Sequence, residues 1–389
     1  MLKTQIAGTG QGGGKIAVAF ESGSILAINS TDSDVLPSLP SEQKIYFATG
    51  GAGQNAATGK QLFENNFEVT SEKILSKVRE NGKPQVIFVT ASLGGGTGSG
   101  TISILADILK SEYEDVPVIG LVTLPENTFL SPKSGANVVI ALSELKREAA
   151  LDSMIFWDNN RVMARGVSLD KMNKWAWGPI KRFMNYVGYG SSTRTLDIQD
   201  FYSLVQQSGA LAFYDTNLPL AVSNPDEIIA KIKETWEDSY YPPEITKSLK
   251  VAGGFGLMLA IPEIGQNKEH LFNQLNARMS DLFPQKTVKV SGFFIDPKLP
   301  KSQFKVLTAL SGLPFPEQRL AEIVEVSAEK RTSMELPDLI MNDNLIEAME
   351  TNLTVQSPQR REESNKLDSI FKQTKNPARE RPLSRKKRS

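Results

Sequence analysis

The chain has 389 residues, enough for two domains with a sizeable core, and its 40% hydrophobic and 23% charged residues are those of an ordinary soluble globular protein. It has no cysteine, which excludes disulfides, thiolate zinc sites and cysteine nucleophiles, and no apolar run reaches the roughly 20 residues of a membrane-spanning helix. The 44 basic and 44 acidic residues cancel unevenly: Lys372, Lys375, Arg379, Arg381, Arg385, Lys386, Lys387 and Arg388 are opposed at that end only by Glu380, so a basic arm of +7 balances a body of −7.

The start, MLKTQIAGTG, moves directly into a strand and a glycine turn and is not a signal peptide, so a cytoplasmic protein with no membrane partner is expected. The first third alternates apolar β-branched runs with helical patterns. Strands are predicted at Lys3–Ala7, Ser24–Asn29, Lys44–Ala48, Gln85–Thr90, Val116–Thr123 and Ser153–Trp157. Between them, TSEKILSKVRE reads as a helix capped by Thr70 or Ser71, with Ile74, Leu75 and Val78 on one face. The alternation predicts an α/β, Rossmann-like domain around a parallel sheet, with ligands at the carboxyl ends of its strands.

A long helix is predicted from Leu169, capped by Ser168, with Met172, Trp175, Ile180 and Phe183 on its apolar face and a kink at Gly178-Pro179. An α+β segment follows, with helices in DIQDFYSLVQQSG and NPDEIIAKIKETWEDSYY and strands in VAGGFGLMLAIP, TVKVSGFFID and FKVLTALSG. The single histidine, His270, is expected on an exposed helix face. Two more helical stretches, PEQRLAEIVEVSAEKR and LPDLIMNDNLIEAMETN, precede a polar, proline-bearing basic end. The expected division is a nucleotide domain (1–168), a linking helix (169–190), a second domain (191–326), a C-terminal helical extension (327–355) and a flexible basic tail (356–389).

Four stretches fall at alternate strand ends: GTGQGGGK (Gly8–Lys15), NSTD (Asn29–Asp32), TGGAGQNAATGK (Thr49–Lys60) and GGGTGSG (Gly94–Gly100). Successive glycine N–H groups converge readily on phosphate oxygens, and a helix N-terminus adds a favourable dipole. One such loop is weak evidence against an ordinary tight turn; four together point to a nucleotide. Gly8, Gly10 and Gly13 spell GxGxxG, but a dinucleotide enzyme does not need GGGTGSG three strands later. No GxxxxGK[ST] is present, because Ile16 follows Lys15 and Gln61 follows Lys60.

GGGTGSG, with the loops before it, resembles the signature of the tubulin and bacterial division-tubulin superfamily, and the resemblance runs in order over roughly residues 1–325. It implies a GTP/GDP site formed by Gly10, Gln11, Gly12, Gly13, Asn29, Gly51, Ala52, Gly53, Asn55, Gly94, Gly95, Gly96, Thr97, Gly98 and Ser99, with Mg²⁺ bridging phosphate oxygens. Asn159 aligns with the asparagine that reads the guanine edge and Asn173 with a second base-contacting position. Lys15 stands where division tubulins usually carry an asparagine, and the fifth loop, LPENTFLSPKSGANVV, matches poorly.

Asp197 and Asp200, three apart in LDIQDFYSLV, share a face if helical, and read alone they are helix-start carboxylates favoured by the dipole. The resemblance implies a second role. In that family an acidic pair at this point enters the nucleotide pocket of the next subunit and polarises the attacking water, which makes GTP hydrolysis depend on head-to-tail assembly.

The ends separate the family's branches. The basic RPLSRKKRS differs from the acidic tail of eukaryotic tubulins and of phage-spindle relatives, and from the short apolar peptide of division tubulins. The branch matched best is the TubZ group, filament-forming GTPases that segregate plasmid or prophage DNA. This implies a DNA-binding partition adaptor on centromere repeats as partner of the tail, with direct DNA contact by the basic residues as a further option. The alternatives are a nucleotide-binding structural or regulatory protein with little turnover, and a phage-spindle or cell-division relative.

Overall fold

Ten strands form one sheet in the order β3-β2-β1-β4-β5-β6-β7-β10-β8-β9. The computed structural model describes residues 2–32, 36, 38–148, 150–189, 194–263 and 268–333. The strands are β1 (Thr4–Thr9), β2 (Ser24–Asn29), β3 (Lys44–Tyr46), β4 (Val86–Ser92), β5 (Val118–Leu124), β6 (Ser153–Asp158), β7 (Ala210–Pro219), β8 (Gly254–Ile261), β9 (Val288–Ile295) and β10 (Gln303–Leu313). Those from β3 to β7 run parallel, β10 is antiparallel to both its neighbours, and β9 is parallel to β8. β1, β5 and β6 are buried along their whole length, which is the reason their apolar runs are continuous rather than alternating.

The helices are α1 (Gly10–Val18), α2 (Ala56–Glu64), α3 (Phe67–Glu80), α4 (Gly96–Glu112), α5 (Pro132–Glu148), α6 (Asn159–Met163), α7 (Leu169–Tyr186), α8 (Ile198–Val205), α9 (Pro225–Glu237), α10 (Glu244–Lys247), α11 (Glu269–Ser280) and α12 (Glu317–Ser333). The α/β expectation with a long central helix and an α+β segment after it holds. That segment adds its strands to the same sheet, joined where Met154 of β6 pairs with Ala210 of β7. No helix among the described residues is long and apolar enough to cross a membrane. His270 is exposed on α11, as expected.

Three local expectations need correction. Neither Thr70 nor Ser71 caps α3, which begins earlier, at Phe67, and buries Thr70 in its interior. Trp175 is not on the apolar face of α7: it is 53% exposed, whereas Trp177 is fully buried. The spacing that places Met172, Ala176, Ile180 and Phe183 inward turns residue 175 outward. Finally, β7 and α5 were not foreseen as regular elements. The Ser168 cap does form, its hydroxyl accepting from the Lys171 amide at 3.5 Å, and Pro179 lies inside the helix. The expected helix in LPDLIMNDNLIEAMETN and the basic tail from Gln356 lie outside the described residues.

Trp177 ties the central helix to the first glycine turn. Its indole N–H donates to the Ile16 carbonyl at 2.8 Å, in the last turns of α1. Its ring packs edge-on against Phe20, Phe88 and Trp157. The core beneath the carboxyl ends of β1, β4 and β6 is therefore continuous with the helix that carries Asn173.

Candidate functional site

Two helix N-termini meet over the carboxyl ends of β1 and β4. Gly10 opens α1 and Gly96 opens α4, and neither helix has an acidic residue in its first turn. Such ends present free N–H groups and a positive dipole end, the elementary requirement for an anion. Around them is a cavity of about 470 Å³ lined by Thr9, Gly10, Gln11, Gly12, Ser30, Thr31, Gly51, Ala52, Gly53, Gln54, Ser92, Gly95, Gly96, Thr97 and Gly98. The structure thus brings together Gly10, Gln11, Gly12, Gly51, Ala52, Gly53, Gly95, Gly96, Thr97 and Gly98 of the expected set. Residues missed by the site reading are Thr9, Ser30, Thr31, Gln54 and Ser92; the signal available for Ser30 and Thr31 was their place in the NSTD stretch.

The turns are packed so closely that side chains are excluded. Gly10 has φ +69°, and a Cβ there would lie 2.8 Å from the Gly98 amide. At Gly96 a Cβ would lie 2.5 Å from the Asn55 amide. Ser30 Oγ and Thr97 Oγ1, 3.0 Å apart, join the second loop to the fourth. Thr9 Oγ1 and Thr101 Oγ1, 2.5 Å apart, join β1 to α4. Gly51 and Gly53 line the cavity and have open space where a side chain would stand, though Gly53, at φ +57°, favours glycine on backbone grounds.

Seven expected residues do not line this cavity: Asn159 and Asn173, and five residues of the loops themselves. Gly13 is packed on β4, where its carbonyl accepts from Thr90 Oγ1 at 2.8 Å and a Cβ would strike the Thr90 carbonyl at 2.3 Å. Its glycine identity follows from helix–strand contact. Gly94 sits against Pro125, with 3.2 Å between a Cβ and that ring. Ser99 is buried and donates to the Leu93 carbonyl at 2.7 Å. Asn29 accepts from the Ser30 amide at 2.9 Å, and Asn55 caps α2 by accepting from the Thr58 amide at 3.1 Å. All five shape the loops from behind.

The two asparagines assigned to the base stand at helix starts. Asn159 opens α6 directly after β6, and its side-chain oxygen is buried with no hydrogen-bond partner. A ligand donor would satisfy it. Asn173 is 6% exposed and lines a neighbouring cleft of about 650 Å³ with Lys15 and Asp170. Asp158, just before Asn159, is buried, accepts from the Asn160 amide at 3.0 Å and from Arg319 Nε at 3.0 Å. Burial pushes its carboxyl above the usual range, and the Arg319 charge opposes that rise.

Asp197 and Asp200 form a capping box at the start of α8. Asp197 accepts from the amides of Gln199 and Asp200, each at 2.8 Å, and Asp200 accepts from the Asp197 amide at 3.2 Å. The local role read from the sequence is therefore present. Their position matters as much. Tyr202 of α8 donates to the Gln85 carbonyl at 2.7 Å, at the amino end of β4, whereas the cavity lies beyond the carboxyl end of that strand. Seven residues of strand, about 3.3 Å each, separate the two.

No group of three or more histidines, aspartates or glutamates able to hold a metal ion is found among the described residues. The cavity lining supplies hydroxyls and backbone groups but no carboxylate. Mg²⁺ brought with a nucleotide would fit this lining through phosphate oxygens, hydroxyls such as Thr31 and Thr97, and the side-chain oxygens of Gln11 and Gln54.

Residues 5–165 match the Tubulin/FtsZ family, GTPase domain. The tubulin-like protein CetZ of Pyrococcus horikoshii is 28% identical over 349 residues, covering 85% of this chain and 90% of the relative. Among solved structures, CetZ from Methanosaeta thermophila superposes with a TM-score of 0.65 at 22% identity, over 95% of this chain and 100% of that one. A GTPγS-form protofilament of TubZ from Bacillus thuringiensis serovar israelensis gives a TM-score of 0.70 at 18% identity, over 86% and 93%. Similarity to the TubZ group is thus one of fold, while CetZ proteins are similar in sequence as well. The expectation that the TubZ group is the best match is supported only to that extent.

Proposed function

We propose that the chain, whose residues 5–165 match the Tubulin/FtsZ family, GTPase domain, assembles head to tail into filaments and hydrolyses GTP where two subunits meet. The observation that carries this reading is the placement of Asp197 and Asp200 at the end of the sheet opposite the glycine-lined cavity. A carboxylate so placed cannot serve its own cavity but can serve that of a neighbour stacked along the same axis. Such a heterologous contact repeats into an open filament.

In this mechanism the N-termini of α1 and α4 hold the phosphates, and Thr97 and Ser30 fix the loops around the terminal one. Asp200 of the incoming subunit orients a water for in-line attack, and Asp197 keeps Asp200 at the mouth of its helix. Magnesium, when present, supplies charge neutralisation on the phosphate oxygens. Asn159 accepts from the base, and Asn173 and Lys15 close the nucleoside end.

A second reading, that the filament segregates plasmid or prophage DNA, rests on the eight basic residues from Lys372 to Arg388. They suit DNA phosphates directly or a DNA-binding adaptor carrying an acidic face. Sequence similarity to CetZ proteins lends this cargo no support, and it stands on the tail alone.

Sedimentation with GTP, GDP and a non-hydrolysable GTP analogue tests the assembly. Wild type should pellet with GTP and with the analogue and release from the pellet as GTP is consumed. Asp200→Ala should pellet with GTP and stay pelleted. Failure of wild type to pellet in any nucleotide would remove the filament.

A further inference from the structure

Arg319 lies in the first turn of α12 and is 4% exposed. Its guanidinium donates to four acceptors: Asp158 Oδ1 at 3.0 Å, Asn127 Oδ1 at 2.7 Å, Glu322 Oε2 at 3.0 Å and the Pro125 carbonyl at 2.6 Å. Asn127 returns a bond to Glu322 Oε1 at 2.6 Å. Two turns or more along the same helix, Lys330 donates to the carbonyls of Asn127, Thr128 and Leu130. Behind them α12 touches α5, where a Cβ at Gly135 would lie 2.3 Å from Ser327 Oγ.

These bonds converge on two places. One is the end of β6, where Asp158 caps α6 and the next residue is Asn159 with its unpartnered oxygen. The other is the loop at 125–131, whose Asn127 amide also faces Asn160 Oδ1 at 3.5 Å. A buried cation is expensive unless fully paired, and an apolar side chain of similar volume is often no less stable. Four well-directed bonds from one rigid fork instead fix geometry. They join a loop and a helix start that are otherwise linked by the Asn127 amide to Asn160 Oδ1 and held locally by the Lys330 bonds to the loop and the Asp158 cap.

We propose that Arg319 is a positioning residue for nucleoside recognition: it locks Asp158 and the 125–131 loop so that Asn159 meets the guanine edge in a preset geometry. This rests on the reading that Asn159 faces the base. Arg319 touches no nucleotide itself; it lowers the ordering cost that Asn159 and the loop would pay on binding.

The test is equilibrium affinity of the full chain, below its assembly concentration, for GTP and for ITP, which lacks the 2-amino group. Wild type, Arg319→Met, Arg319→Lys, Asn159→Ala and the Arg319→Met/Asn159→Ala double variant are compared, with a thermal midpoint for each. Arg319→Met should lose about tenfold in GTP affinity, the worth of one hydrogen bond, and narrow the GTP/ITP preference. Arg319→Lys should recover part of both. The double variant should bind no more weakly than Asn159→Ala by a factor above about two, because the two act through one contact.

Wild-type affinity and preference in Arg319→Met would overturn the proposal, as would full multiplicative loss in the double variant. If Asn159→Ala alone weakens binding, only the Arg319 role falls. If neither substitution changes the GTP/ITP preference, the assignment of Asn159 to the base falls too. Should Arg319→Met not fold, Arg319→Lys and Lys330→Met carry the same test: unchanged preference in both overturns it.

Discussion

The Tyr202 hydroxyl donates to the Gln85 carbonyl at 2.7 Å, which anchors α8 to the amino end of β4. The carboxylates that begin α8 and the glycines that follow β4 are thereby held at opposite ends of one strand. No rotamer change brings Asp200 to the cavity of its own chain, so the shared-site reading needs a second copy. Asp200→Asn should keep a side-chain oxygen for the Asp197 amide, and so keep the helix cap, while losing the carboxylate. GTP turnover should fall by about a hundredfold, in the range of removing one preorganised electrostatic contact, with monomer GTP affinity unchanged. Steady-state turnover and nucleotide titration check the two halves separately.

Glycines with different reasons should respond differently to alanine. At Gly100 a Cβ would lie 2.1 Å from the Ala56 carbonyl, where α4 and α2 cross, so Gly100→Ala should cost about 2 kcal/mol of stability while leaving the cavity lining intact. At Gly51 nothing lies within 4 Å. Gly51→Ala should keep the melting temperature of the nucleotide-free protein and weaken GTP binding severalfold. Thermal melts with and without GTP distinguish the two patterns.

Trp177 serves the end of α1. The Phe20 amide bonds the Ala17 carbonyl, and the Ile16 carbonyl takes its bond from the Trp177 indole instead. Trp177→Phe should leave that buried carbonyl without this donor and cost about 1–3 kcal/mol, read from chemical denaturation. Nucleotide affinity should drop with it, because α1 begins at Gly10.

Arg319 gives a pH signature in stability. The folded-state pKa of Asp158 already lies above its ordinary value through burial, so its ionisation in the folded protein costs stability as pH rises through that pKa. Removing the Arg319 charge raises it further. The stability lost by Arg319→Met should therefore be greater at pH 7.5 than at pH 5, which is nearer the range in which Asp158 takes up a proton. Adding Asp158→Asn should flatten this difference. Denaturation midpoints at the two pH values provide the check, with Glu322 and Glu244, the other carboxylates bonded to Arg319, present in both variants.

Much of the fold was legible because burial on both faces makes parallel strands continuous apolar runs. VIFVT predicted β4, and β2 was placed at its observed limits, Ser24–Asn29. β7 was not, since ALAFYDTNLP has two alanines among its first three residues and holds aspartate, asparagine and proline. Pairing with β10 along nearly its whole length imposes the strand. α5 begins inside the fifth loop, LPENTFLSPKSGANVV, where Gly135 and the β-branched Val138 and Val139 weaken the helical pattern; packing on α12 overrides them. The cavity was legible in outline from clustered glycines. Which glycines answer to a ligand and which to packing was not, because Gly12 and Gly13 are identical in sequence and differ only in what stands opposite. The Arg319 network left little local signal: apart from Glu322, three residues on, its side-chain partners are 161, 192 and 194 residues away along the chain.

Removal of residues 372–389 should leave GTP turnover at its full-length value, because the machinery assigned here ends before α12 closes. It should abolish retention of DNA, alone or with an adaptor, if the basic arm holds cargo. Turnover and DNA co-sedimentation of the truncated chain check both; loss of turnover would remove the arm as a separate cargo element.

The central claim is a catalytic site completed by a second subunit. GTP turnover per subunit, measured against protein concentration with parallel pelleting for wild type and Asp200→Ala, tests it most directly. The account predicts negligible turnover below a critical concentration, a steep rise above it, and an Asp200→Ala chain that pellets with GTP but barely hydrolyses it. Turnover per subunit that is independent of concentration, or full activity in Asp200→Ala, would contradict it.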